Sequence, residues 1–256
     1  MSFRVPQEQV DLEPWLDERG DVFAAIRGHD SGCTSYGVEI EGRRWFVKTA
    51  PHHQRWQLDG ALMVHRRVRH DAIVPLVADF AVADGHAVVY PWVAGENLRD
   101  GLVPGSDVAA LDRFRGLPDA SSWAAYGELL AAHVAVARAG LVAVDLYSGS
   151  LVHDADASRL WIVDLDLYTP PYRLEIDRQF GSTRLMPPEE LTRGSWVDQP
   201  ATVFTLARLA DHLGCVRTPG QAATVARATE PAPDDRYATV AAYADAWGTG
   251  RARPNG

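Results

Sequence analysis

Cysteine is scarce in this chain: Cys33 and Cys215 are the only two in 256 residues. They lie far apart, with no histidine at metal-ligand spacing. That argues against a zinc site and against a disulfide framework, and leaves both as ordinary small residues. Long apolar runs are missing as well. No stretch approaches the roughly 18 residues that a bilayer span requires. The opening segment MSFRVPQEQVDLEPW lacks the apolar core of a signal peptide. The expectation is a cytoplasmic protein with no membrane partner. Positive charge is also short, with 25 Lys and Arg against 34 Asp and Glu, a net charge of −9. Binding a phosphate backbone needs a basic surface, so no nucleic-acid partner is expected. Internal repeats and low-complexity segments are absent.

What is present is ordinary for a folded chain. Hydrophobic residues make up 46% and charged residues 23%. The length suits one large domain or two small lobes. Residues 1–21 read as a lead-in, either a short polar helix or irregular. Residues 22–27, 34–40 and 44–49 read as three strands of an antiparallel meander, with Glu41-Gly42 as a two-residue turn. A helix follows over residues 53–69, then two strands over 73–80 and 86–93 around Asp84-Gly85. Beyond Gly95 the texture turns helical. Residues 101–120 read as an irregular insertion. A strong helix is expected over 123–139, with Ser121 and Ser122 as caps and Gly140 as its stop. Short apolar runs come at 141–144 and 160–163, residues 167–188 read as loop, and helices follow over 201–213, 221–229 and 240–247. The tail from residue 249 is polar and expected to be flexible.

Several short segments carry chemistry. Gly32-Cys33-Thr34-Ser35-Tyr36-Gly37 follows the first strand, and glycines there let backbone N–H groups approach an anion. Phe46-Val47-Lys48 lies on the third strand, where alternation puts Phe46 and Lys48 on one face. Tyr90-Pro91-Trp92-Val93 ends the fifth strand. Val144-Asp145-Leu146-Tyr147-Ser148-Gly149-Ser150-Leu151-Val152 precedes Ile162-Val163-Asp164-Leu165-Asp166. Gly181-Ser182-Thr183-Arg184-Leu185-Met186-Pro187-Pro188-Glu189, Val203-Phe204-Thr205-Leu206 and Asp235-Arg236-Tyr237 complete the series.

In this order the segments resemble those of the protein kinases over residues 22–247. The chain looks most like short bacterial serine/threonine-kinase-like proteins with a D-x-Y-x-G-x-L loop. The resemblance implies an α+β, bilobal protein-kinase-like fold. Residues 22–93 would form a five-stranded antiparallel N-lobe with one helix, and residues 94–248 a mainly helical C-lobe. It implies ATP as cofactor with Mg2+, or Mn2+ in its place. Gly32 and Gly37 would cover the phosphates, and Lys48 would hold the α- and β-phosphates. Tyr90 to Val93 would be the hinge, with the Pro91 C=O and the Val93 N–H facing adenine. Asp145 would receive or orient the proton of the attacking hydroxyl. Asp164 would be the main magnesium ligand, and Ser150 would stand at the second-metal position.

Departures from the family pattern accompany the matches. Thr34 replaces the middle glycine of the loop, Phe46 an alanine above adenine, Ala143 a histidine and Tyr147 a lysine. Ala61 occupies the place of the helix glutamate that pairs with the lysine. Asp59 is two residues away, about 200° around the helix, so Lys48 must lean on Asp164 or another acid. Asp166 replaces the glycine of D-F-G, and a structural role suits it better than metal ligation. Glu189 and Arg236 are expected to form a buried ion pair, which sets the chain apart from small-molecule kinases of the aminoglycoside type. The implied function is ATP-dependent phosphotransfer to serine or threonine hydroxyls of a protein substrate. The alternative is a pseudokinase that regulates a partner protein.

Overall fold

The computed structural model describes residues 3–27, 32–99, 108–177, 181 and 183–250. The chain opens with helix α1 (Leu12–Asp17), whose Leu12, Trp15 and Leu16 are buried. Three apolar residues at helical spacing make this lead-in an amphipathic piece of the core. Strands β1 (Asp21–Ile26), β2 (Thr34–Ile40) and β3 (Arg43–Pro51) follow, then helix α2 (Trp56–Arg67) and strands β4 (Ala78–Val82) and β5 (Gly85–Pro91). They form one five-stranded sheet in the order β1-β2-β3-β5-β4, with every neighbouring pair antiparallel. Glu41 and Gly42 both have positive φ, 52° and 71°. Two such residues between paired strands suit the twist of a tight hairpin.

Alternation along β3 gives the sheet two different faces. Trp45 and Val47 point to one side, where Val38, Val89, Phe3, Trp15 and Leu16 cover them. Phe46, Lys48 and Ala50 belong to the other face, where Val88 and Tyr90 pack on Leu58 and Leu62 of α2. Each buried leucine-sized side chain stabilises by about 1.5–3 kcal/mol. The expected strand over 73–80 begins only at Ala78. Pro75 has no N–H to give a ladder, so the run before it stays outside the sheet. Ile73 instead bridges in parallel to Ile162.

The second part contains β6 (Glu96–Asn97), α3 (Ala109–Arg115), α4 (Asp119–Arg138), β7 (Leu151–Asp154), β8 (Arg159–Ile162), β9 (Tyr172–Arg173), β10 (Trp196–Val197), α5 (Gln199–His212), α6 (Pro219–Ala228) and α7 (Val240–Gly250). Strands β6, β7 and β8 make a small sheet, and β9 pairs with β10. The fold is therefore α+β. Within the expected irregular insertion, α3 buries Leu111 and Phe114; residues 100–107 lie outside the described ones. Helix α4 starts at Asp119, with Pro118 at its N-cap, so Ser121 and Ser122 are not caps. Ser122 instead donates its hydroxyl back to the Asp119 carbonyl (3.1 Å). Gly140 (φ 75°) ends the helix as expected.

A capping box between Thr218 and Gln221 opens α6, with Pro219 in its first turn. Residues 249 and 250, expected in a flexible tail, belong to α7, where the Gly250 carbonyl accepts from the Thr218 hydroxyl (2.7 Å). Residues 251–256 lie outside the described ones.

The helical core gathers Tyr126, Leu129, Leu206, Leu209, Tyr243 and Trp247. Ala61 and Val64 of α2, with Val68 just past its end, join that same cluster, so α2 serves both the large sheet and the helical part. Among the described residues no helix is long and apolar enough to cross a membrane.

Candidate functional site

Lys48 sits in the middle of β3, opposite Ser35 on β2 and Val88 on β5. Its side chain leaves the sheet and meets the segment after β8. There it is ion-paired with Asp166, and its Nζ lies 3.9 Å from Asp164 Oδ1. Exposure divides the two acids: the Asp164 side chain is 37% exposed, that of Asp166 13% and that of Lys48 18%. Burial alone would lower the lysine's pKa. Asp164 and Asp166 together outweigh it and hold the ammonium above its usual range. The carboxyl of Asp166 is raised to about 6, by burial first and by Asp164, with Lys48 pulling the other way. The acid that Lys48 leans on is therefore Asp166 as well as Asp164.

Two contacts fix this segment. A Cβ on Gly60 of α2 would overlap the Asp166 carbonyl oxygen and would stand 2.7 Å from that of Tyr168. Only glycine allows such an approach between helix and segment. On the other side, the Tyr168 hydroxyl donates to His133 Nε2 (2.8 Å), while His133 Nδ1–H donates to the Leu129 carbonyl (2.8 Å). Burial lowers the His133 pKa to about 4, which keeps the imidazole neutral and able to accept that proton.

Asp145 lies in the connection between α4 and β7, with φ of 57°, the left-handed region that a non-glycine residue enters only when held there. The holding is visible. Val142 bridges to Thr169, and the Ala143 N–H donates to the Thr202 hydroxyl of α5 (3.0 Å). Asn97 of β6 donates to the carbonyls of Gly149 (2.7 Å) and Leu151 (3.2 Å). Ser150 is fully buried, and its hydroxyl faces the Asp145 carbonyl at 3.5 Å. A Cβ on Gly181 would overlap the Asp145 carboxyl group, and one on Gly149 would overlap the Tyr147 ring. Burial, then Asp164 and Asp145, push the Tyr147 hydroxyl up to about 12.

The residues expected around adenine form an aromatic group. Phe46 and Tyr90 are paired across β3 and β5, with ring centroids 6.4 Å apart, and Trp92 is also 6.4 Å from Phe46. The Trp92 N–H donates to the Arg44 carbonyl (3.0 Å), which carries the ladder one residue past β5. Val93 is half-buried against Val88 and its neighbours. Gly37 lies within β2 rather than in the preceding loop, opposite Phe46. A side chain there would overlap Phe23 and Trp92, whose rings meet edge-on at 4.9 Å, so this glycine makes room for an aromatic pair. Gly32 has φ of 67° and lies against the Gln54 side chain. Residues 28–31 fall outside the described ones.

Glu189 and Arg236 form the expected buried pair. Arg236 Nη1 and Nη2 reach the Glu189 carboxylate at 2.7 and 3.0 Å, and the arginine side chain is fully covered. Beside it Glu190 is buried, and burial, then Glu189 and Asp145, raise its carboxyl to about 8. Sequence reasoning overlooked Thr202, Asn97, Glu190 and Gly60. A lone glycine inside a helical pattern was the one signal available for Gly60.

Lys48, Asp164 and Asp166 are thus in contact, and Asp145 and Ser150 share one loop. The two glycines belong to different settings. Among the described residues no group of three or more His, Cys, Asp or Glu could hold a metal ion. Any cation here would rest on one or two carboxylates and on oxygens brought by a ligand, as magnesium commonly does. No protein-family model and no curated protein matches the chain.

Proposed function

We propose that the chain is an ATP-dependent phosphotransferase of the protein-kinase type, acting on serine or threonine hydroxyls of a protein substrate. In this reading the large sheet with α2 is one lobe and the helical part the other. The observation that carries it is the meeting of Lys48 with Asp164 and Asp166 across 116 and 118 residues of chain, beside a strained loop that presents Asp145. A charged lysine, a partly exposed carboxylate and a second carboxylate on a separate loop are the groups that phosphoryl transfer needs in one place.

The residues fit magnesium and a nucleotide unequally. Asp164 fits as a metal ligand, because its carboxylate is the more exposed of the two acids beside Lys48. Ser150 fits poorly, since its hydroxyl is buried and turned to the Asp145 carbonyl. Its part is to close the loop. Magnesium-bound ATP would supply the phosphoryl group and the cation that neutralises its oxygens. Lys48, held charged, binds phosphate oxygens. Asp145 orients the incoming hydroxyl and takes its proton. Glu189 and Arg236 anchor the segment that follows Gly181.

The pseudokinase reading is favoured by one feature: the half-buried Phe46 stands between Tyr90 and Trp92, where a base would have to enter. Autophosphorylation and transfer to a generic acceptor, with magnesium and with manganese, decide between the two. Asp164→Asn is expected to abolish metal-dependent nucleotide binding and transfer together. Asp145→Asn is expected to keep binding and cut turnover about 100- to 10,000-fold. Equal background signal from wild type and Asp145→Asn under both metals would make the pseudokinase the correct reading.

A further inference from the structure

We propose that Asp166 is the positioning acid of Lys48, supplying from the segment after β8 the carboxylate that α2 does not offer. The inference rests on the phosphotransferase reading and extends it. Helix α2 has one acid, Asp59, and it is exposed; Ala61 is buried among Val64, Val68 and the helical core. No carboxylate on that helix serves the lysine. The lysine's contacts are instead Asp166, directly, and Asp164 at 3.9 Å.

The two acids are not equivalent. Asp164 is nearly three times as exposed as Asp166, so it can face a cation while Asp166 stays covered against the ammonium. The backbone around Asp166 is held on both sides. Leu165 is buried, Tyr168 is tethered to His133, and the Asp166 carbonyl rests against Gly60. The helix that offers Lys48 no acid is thus also the helix whose missing side chain lets the substitute acid approach. A carboxylate fixed this way sets where the lysine's charge lies before any phosphate arrives, and such preorganisation is where positioning gains its effect.

The test uses the full chain in wild-type, Asp166→Asn, Lys48→Met and doubly substituted forms. Magnesium-ATP affinity, kcat, KM and magnesium half-saturation are measured separately. Asp166→Gly runs alongside, because it removes the acid without leaving a buried amide. Both Asp166 variants are expected to lower kcat/KM by about 10- to 100-fold, with magnesium half-saturation unchanged. In the Lys48→Met background the same substitutions are expected to cost nothing more, since the acid acts only through the lysine. Losses that add to those of Lys48→Met, a raised magnesium requirement, or wild-type kcat/KM in both Asp166 variants would overturn the assignment. Absence of magnesium-dependent ATP binding and of transfer in wild type would instead overturn the phosphotransferase reading, and the assignment with it.

Discussion

Among the described residues two ion pairs are largely covered, and they are built on different plans. At Glu189 and Arg236, the carboxylate takes two guanidinium N–H groups, and the carbonyls of Glu230 (2.6 Å), Pro200 (3.0 Å) and Pro231 (2.9 Å) take the other three. All five donors are used. At Lys48 there is one ammonium between two carboxylates, one covered and one partly open to solvent. The first pair has no spare capacity and can only hold structure. The second has an excess of negative charge and a lysine donor that a phosphate could recruit. Saturation marks the structural pair, and incompleteness marks the pair suited to a ligand.

The largest expected effect comes from breaking the saturated pair. Arg236→Ala leaves the Glu189 carboxylate buried and unpaired and frees three carbonyls. A loss of about 3–5 kcal/mol in unfolding free energy is expected by denaturant titration. A wild-type midpoint would refute the structural role. At the other pair, Lys48→Met should cost less, about 1–3 kcal/mol. Asp166 can take a proton once the lysine is gone, its carboxyl being already raised to about 6. The same variant should lose magnesium-ATP affinity in calorimetry. If it destabilises as much as Arg236→Ala, the contrast between the pairs fails.

The smallest effect per step concerns Glu190. Its carboxyl is raised from 4.5 to about 8, chiefly by burial, so between those values the folded chain binds a proton that the unfolded chain does not. Stability contributed by this group therefore rises as pH falls from 8 to 4.5, and the full cost of the buried charge is felt above 8. The slope is at most about 1.4 kcal/mol per pH unit. Glu190→Gln should remove it, so the wild-type minus variant difference in unfolding free energy should be flat across that range if Glu190 does not carry the proton.

Legibility in the sequence followed the range of the interactions involved. The hairpin at Glu41-Gly42, the stop at Gly140 and helices α5 and α6 rest on local rules and are readable within a residue or two, whereas α3 falls where an irregular insertion is expected, α4 begins four residues early and α7 runs three residues on. The segment of helix α1 reads as a polar helix or as irregular because its buried face is only Leu12, Trp15 and Leu16, and its partner surface on β3 is formed far along the chain. The late start of β4 followed from Pro75, a local signal outweighed by the apolar run around it. At the site, Lys48, Asp145, Asp164, Glu189 and Arg236 stood out by their order. The use of Asp166 by Lys48 did not, because nothing local to either residue encodes a pairing across 118 positions. The aromatic purpose of Gly37 was equally hidden, since it depends on an irregularity in the β1–β2 register at Phe23 and on Trp92 beyond β5.

The contact at Gly60 gives the molecule a lever. With no side chain between α2 and the Asp166 carbonyl, the two surfaces bear directly on one another, and close-packed interiors transmit displacement rather than absorb it. A shift of α2 is therefore passed to the backbone of Asp166 without going through Lys48. That helix is thus a handle on the carboxylate that pairs with Lys48.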